Sequence, residues 1–199
     1  MSESAVHELP LFPLGAVLFP EGRLGLRVFE PRYLDMVSDC LREDGSFGIC
    51  LIRDGREVGS AAQPYEIGTE ARIIDWDRND DGLLGLTVHG GRRFRAETTQ
   101  VQPDNLLLAE VSWLADDIVP LPAEYTPLAE LLWQLLQQVE PERASEGERF
   151  SDAAWVGYRL AECLPLQAEQ SQALLAQDDP VVRLQALAAV VQAMDQRGG

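Results

Sequence analysis

Apolar and polar positions along the chain change rhythm once, near residue 120. Before that point they form short runs and alternations separated by Gly, Pro, Asp and Asn; after it they recur at three- and four-residue steps. Residues 9–20 (LPLFPLGAVLFP) combine apolar side chains that want burial with prolines that interrupt sheet hydrogen bonding, which predicts an edge strand. A partial alternation over residues 26–29 leads into Glu30, Pro31 and Arg32, where proline suits the first turn of a helix. That helix carries Tyr33, Leu34, Val37, Cys40 and Leu41 at helical spacing and stops at Asp44 and Gly45. Residues 47–52 read as a buried strand, Asp54 and Gly55 as a turn, and residues 58–62 as a returning strand. Residues 68–77 alternate like a half-buried strand, residues 79–82 (NDDG) are a strong turn, and residues 83–89 are the hairpin partner. Gly90 and Gly91 read as another turn into residues 93–96, and residues 106–113 as one more strand.

About six short strands with one inserted helix predict a small curved sheet or partly open barrel. From Tyr125 onward Leu128, Leu131, Leu132, Leu135, Leu136 and Val139 mark a helix, followed by an acidic loop over residues 141–147. Ser151 and Asp152 cap a helix through Ala161, residues 164–166 break it, and a short helix follows through Leu175. Asp178, Asp179 and Pro180 then start a last helix with Leu184, Leu187 and Val191 on its apolar face. The expected class is α+β, with a β-rich part over residues 1–118 and an all-helical bundle over 119–199.

Charge and residue usage narrow the chemistry. The net charge is -17, from 33 acidic residues against 16 basic ones, and every basic residue is arginine. Such a surface repels phosphate backbones and anionic lipid, so neither nucleic acid nor membrane is an expected partner. Without lysine there is no Gly-rich phosphate loop ending in Lys, no Ser-Lys dyad and no Schiff base. Cys40, Cys50 and Cys163 are odd in number and set among apolar residues, which predicts buried free thiols. His7 and His89 are the only histidines, too few and too far from the cysteines for a metal site or a Cys-His pair. Asp75 and Asp77 share a strand face, where a solvated hairpin surface suits them better than acid-base work. No cofactor, no metal and no catalysis are expected. The acidic amino terminus lacks the marks of a secretory signal, and the expected location is the cytoplasm.

Residues 9–20, 26–37 (LRVFEPRYLDMV) and 47–52 (FGICLI), in that order, resemble the amino-terminal substrate-binding domain of Lon proteases. Residues 68–73 (GTEARI), 88–94 (VHGGRRF), 159–166 (RLAECLPL) and 179–184 (DPVVRL) are similar to the family's later signatures. The resemblance implies a PUA-like curved sheet followed by a helical bundle, in a stand-alone domain without ATPase or peptidase parts. It further implies a role in holding polypeptide substrates or protein partners. Phe12, Phe29 and Tyr33 read as core, and Gly68 and Gly90 as turn glycines. Glu30 and Arg32 flank the helix start, either as a local ion pair or as a polar anchor for a peptide.

The leading expectation is a non-enzymatic module that recognises unfolded or partly exposed polypeptide, at a sheet edge or between sheet and bundle. Arg32, Tyr33, Trp76, Arg92 and Arg93 are the candidate contacts, because arginine and aromatic side chains dominate binding hot spots. The alternative is a self-associating adaptor that docks onto a protease or other protein through its bundle, with exposed leucines on the 125–139 helix as its sign. A small-molecule carrier or hydrolase is a third reading, which would need a concave apolar pocket.

Overall fold

The computed structural model describes residues 7–78 and 83–198, so the expected turn at 79–82 lies outside the described residues. The chain divides into two compact units, Met1–Ala115 and Asp116–Gly199, three residues before the boundary expected from composition.

The first unit holds strands β1 (His7–Leu14), β2 (Arg23–Val28), β3 (Phe47–Asp54), β4 (Gln63–Pro64), β5 (Ile67–Arg78), β6 (Leu84–Val101) and β7 (Leu107–Trp113), with helix α1 (Pro31–Glu43) between β2 and β3. Pairing runs β1-β7-β6-β5-β3-β4, β2 adds to β6, and β1 also pairs in parallel with β3. The result is a partly closed, curled sheet. Strand β1 is therefore not the edge expected from its prolines. Its first half, through Pro10, pairs with β7, and its second half, through Pro13, pairs with β3. Each proline lies in a stretch with a neighbour on one side only, the local condition under which a strand tolerates it.

Alternation along β1 and β3 sorts their side chains to two faces. Phe12, Leu14, Phe47 and Ile49 join one buried cluster with Tyr33, Met36, Val37 and Cys40 of α1. Leu9, Leu11 and Cys50 join a second with Phe94, Leu107, Ala109 and Val111. Phe29 falls outside both and is about half exposed, a correction to the expected core. Helix α1 ends as expected, with Asp44 in the left-handed region at φ 51°.

The two glycine signatures act inside strands, not in turns. A Cβ on Gly68 would stand 2.5 Å from the Ile49 carbonyl and 2.6 Å from the Phe94 ring. One on Gly90 would collide with the Phe19 carbonyl, so β6 runs straight through Gly90 and Gly91 where a turn was expected. The strand expected over 58–62 is absent as well. That segment is a loop: the Glu57 carboxylate accepts from the Gly15 amide at 2.6 Å and Glu30 accepts from the Gly59 amide at 3.4 Å. Pairing resumes only at the two-residue β4.

The second unit is helical: α2 (Thr126–Val139), α3 (Pro141–Ala144), α4 (Ala153–Cys163), α5 (Ala168–Ala176) and α6 (Pro180–Gly198). The expected acidic loop contains α3, with Pro141 in its first turn. Asp152 accepts from the Ala154 amide at 3.0 Å and Asp179 from the Val181 amide at 2.8 Å, capping α4 and α6 where the sequence placed caps. Arg183 sits in the interior beside the Gly157 backbone, 1% exposed. It donates to the Leu174 carbonyl and to the Tyr158 hydroxyl, both at 2.9 Å, and also to the Gln177 carbonyl. Its guanidinium lies 3.9 Å from the Tyr158 ring centroid, and Tyr158 in turn donates to Asp116 at 2.7 Å. One arginine thus joins α4, α6 and the carboxyl end of α5.

Candidate functional site

The five expected contact residues do not share a surface. Arg32 and Tyr33 each retain 5% exposure, and Arg93 is fully buried. Arg32 forms an ion pair with Glu30 at 3.1 Å and donates to the Asn105 carbonyl at 2.8 Å, and Tyr33 packs on Phe12 with ring centroids 4.1 Å apart. Burial pushes the Tyr33 phenol up to about 12. The local ion pair, not the peptide anchor, is the arrangement that Glu30 and Arg32 adopt. These three residues are corrected from surface contacts to internal supports.

Trp76 and Arg92 are outside, 60% and 58% exposed. Trp76 pairs with Leu86, six residues from Arg92, so the two stand about 20 Å apart along β6. The Arg92 guanidinium covers the Trp113 ring at 3.9 Å and reaches Glu70 at 3.6 Å. Cation-π packing against the unit's own ring occupies one face of that arginine.

Register, which the sequence pattern does not specify, leaves the outer half of β5 and the end of β6 with a strand neighbour on one side only. The outer half of β5, residues 72–78, pairs with β6 but lies beyond the reach of β3. Here Asp75 accepts from the Trp76 amide at 2.9 Å and Asp77 from the Arg78 amide at 2.7 Å. Carboxylates bonded to their own strand's amides blunt this edge against further pairing. Residues 97–101 of β6 pair with β7, while β5 starts only opposite Arg95. Beside this second stretch lies a groove of about 470 Å³ whose lining includes Ala61, Pro64, Tyr65, Val101 and Leu107. Val101 is 59% exposed there. Arg53, Gln63, Glu66, Glu97 and Thr98 also line the groove, so the open backbone edge stands beside a surface of mixed polar and apolar character, a geometry that suits an extended chain.

The helical unit has its own concavity, about 600 Å³, between α2 and residues 121 and 150–151. The exposed leucines expected on α2 are not found: Leu128, Leu132 and Leu136 are buried, Leu131 and Leu135 are half-buried, and the large apolar side chains left outside are Trp133 and Val139.

Burial raises the thiols of Cys40 and Cys50 to about 11 and about 12, away from the reactive thiolate. Cys163 is only half-buried, not enclosed as expected. Among the described residues no three His, Cys, Asp or Glu side chains converge on a metal-sized site. Burial lifts the Glu162 carboxyl to about 7 against the opposing pull of Arg159 and Arg143, and Glu162 stands 3.0 Å from the buried Arg159 guanidinium. Among the described residues no helix is long and apolar enough to cross a membrane.

A curled sheet with one helix, followed by a helical unit, is the architecture of Lon amino-terminal domains. The family model described as the ATP-dependent protease La (LON) substrate-binding domain matches residues 8–193, and the chain belongs to this family. It is 26% identical over 191 residues to Lon protease 2 of Myxococcus xanthus, covering 92% of this chain and 23% of that protease. A Lon protease of Anaeromyxobacter dehalogenans is 30% identical over 133 residues, which are 66% of this chain and 16% of that one. The chain therefore spans less than a quarter of the length of these proteases. Among solved structures, the Lon N-terminal domain protein from Xanthomonas campestris superposes with a TM-score of 0.78 at 45% identity, covering 92% of this chain and 98% of its own. The N-terminal domain of the Mycobacterium avium complex Lon protease shares the fold, with a TM-score of 0.66 at 18% identity over 91% of this chain.

Proposed function

We propose that this chain is a non-enzymatic polypeptide-binding module that takes an extended, partly apolar segment of an unfolded or partly exposed polypeptide along residues 97–101 of β6. The observation that carries the reading is the open edge of that stretch beside the groove at Tyr65, Val101 and Leu107. Backbone pairing would supply affinity independent of sequence, and the groove would accept alternate side chains. Family membership supports a substrate-holding role, and the absence of lysine excludes phosphate-loop and Ser-Lys chemistry within these 199 residues.

The test is binding of a fluorescently labelled, chemically unfolded model protein, followed by anisotropy. Val101→Asp and Tyr65→Ala are expected to weaken binding by about tenfold, the range of a truncated interface hot spot. Trp76→Ala is expected to leave it unchanged. Absence of binding up to about 100 micromolar, or equal binding by the groove variants, overturns the reading.

A further inference from the structure

We infer that the groove of the helical unit is a second docking site, specific for a protein segment that presents a large apolar side chain next to an arginine or lysine. It extends the expectation of docking through the bundle by naming the partner's chemistry, and it does not depend on the β6 edge. The groove is built, not incidental. Glu130, Trp133 and Gln134 stand at i, i+3 and i+4 on α2 and form one wall. The opposite wall holds Leu121 and Phe150, and backbone bonds fasten it: the Leu121 amide donates to the Ser151 carbonyl at 2.7 Å and the Ala153 amide to the Val119 carbonyl at 2.8 Å. Phe150 is held by an edge contact with Trp155, ring centroids 5.0 Å apart. Yet Trp133 remains 48% exposed at the mouth. A large indole left half in water beside an apolar floor is an unfilled contact.

Charge complementarity selects the occupant. Residues 116–199 carry fourteen carboxylates and five arginines. The arginines whose side chains are described are already engaged. Arg159 and Arg183 are buried, Arg143 reaches Glu140 at 2.8 Å, and the Arg149 guanidinium lies 5.6 Å from the Trp155 ring centroid. Glu130 is therefore an exposed carboxylate at an apolar groove within an acidic surface. An incoming cation gains both the Glu130 carboxylate and the Trp133 ring face, whereas an acidic segment meets repulsion.

The experiment uses the full chain and two labelled 15-residue peptides with the same leucine anchors, one flanked by arginines and one by glutamates. The arginine peptide is expected to bind at micromolar concentrations, at least tenfold more tightly than the glutamate peptide, with affinity falling as salt rises. Trp133→Ala should weaken it about tenfold, and the exposed charge change Gln134→Arg several-fold, while circular dichroism confirms that both variants fold. The β6 variant Val101→Asp should bind the arginine peptide normally, which separates this site from the strand edge. Equal binding of the two peptides, no binding of either, or unchanged binding by Trp133→Ala and Gln134→Arg overturns the inference. A concentration-dependent dimer abolished by Trp133→Ala also overturns it, by making a second copy the occupant.

Discussion

Arg183 shows why this chain uses arginine inside a protein with so few cations. A planar guanidinium can donate to two carbonyls and one hydroxyl while stacking on Tyr158, a geometry that an ammonium group does not reproduce. Its removal takes away the donor that Arg183 supplies to the Leu174 and Gln177 carbonyls and leaves a space beside Tyr158. Arg183→Met should therefore destabilise the helical unit by about 3–5 kcal/mol, read from urea unfolding by far-ultraviolet circular dichroism. Arg183→Lys should recover little of that loss; full recovery would mean that charge alone is what the site requires. The sequence contained a signal for this role. Arg183 stands three residues after Pro180 and one before Leu184, on the stripe that packs inward, and an obligate cation on an apolar stripe calls for an internal partner. The partners themselves were not legible, because Tyr158 is 25 residues away.

At the scale of elements, β5 and β6 show how one hairpin carries opposite edge behaviour. Asp75 and Asp77 are solvated on β5, as their alternation predicts, and their bonds to the following amides also close the outer edge. Replacing both with alanine should free those amides for pairing between copies, seen as concentration-dependent light scattering, with folding stability changed by less than about 0.5 kcal/mol. No increase in scattering would show that the carboxylates do not guard the edge. The long β6 runs through an expected turn for a related reason. Two adjacent glycines are the usual mark of a turn, yet here Gly90 lets the Phe19 carbonyl approach, and a Cβ on Gly91 would meet the Glu70 carboxylate at 2.7 Å. Local composition cannot separate a glycine that turns from one that makes room. The helices were more legible, since the caps Asp152 and Asp179, the break at Pro165 and the first-turn Pro180 act within a few residues.

For the whole molecule, a net charge of -17 sets a background of self-repulsion that salt relieves. Raising sodium chloride from about 20 to about 500 millimolar should raise the melting temperature by about 2–5 °C, measured by scanning calorimetry; a fall would mean that local ion pairs outweigh the net charge. The arginine-peptide interaction should respond oppositely, weakening over the same range, because it depends on the attraction that salt screens. By itself the sequence determined the kinds and order of the elements, the change from strands to helices near residue 118, and membership in the Lon substrate-binding family. These follow from side-chain period, turn residues and caps, all of which act over a few neighbours. Only the tertiary structure decided that Arg32, Tyr33 and Arg93 point inward, that residues 97–101 keep an open edge, and that Trp133 stands half exposed at an apolar groove beside Glu130. Burial and free edges are set by strand register and by contacts between residues tens of positions apart, and a one-dimensional pattern does not contain those distances.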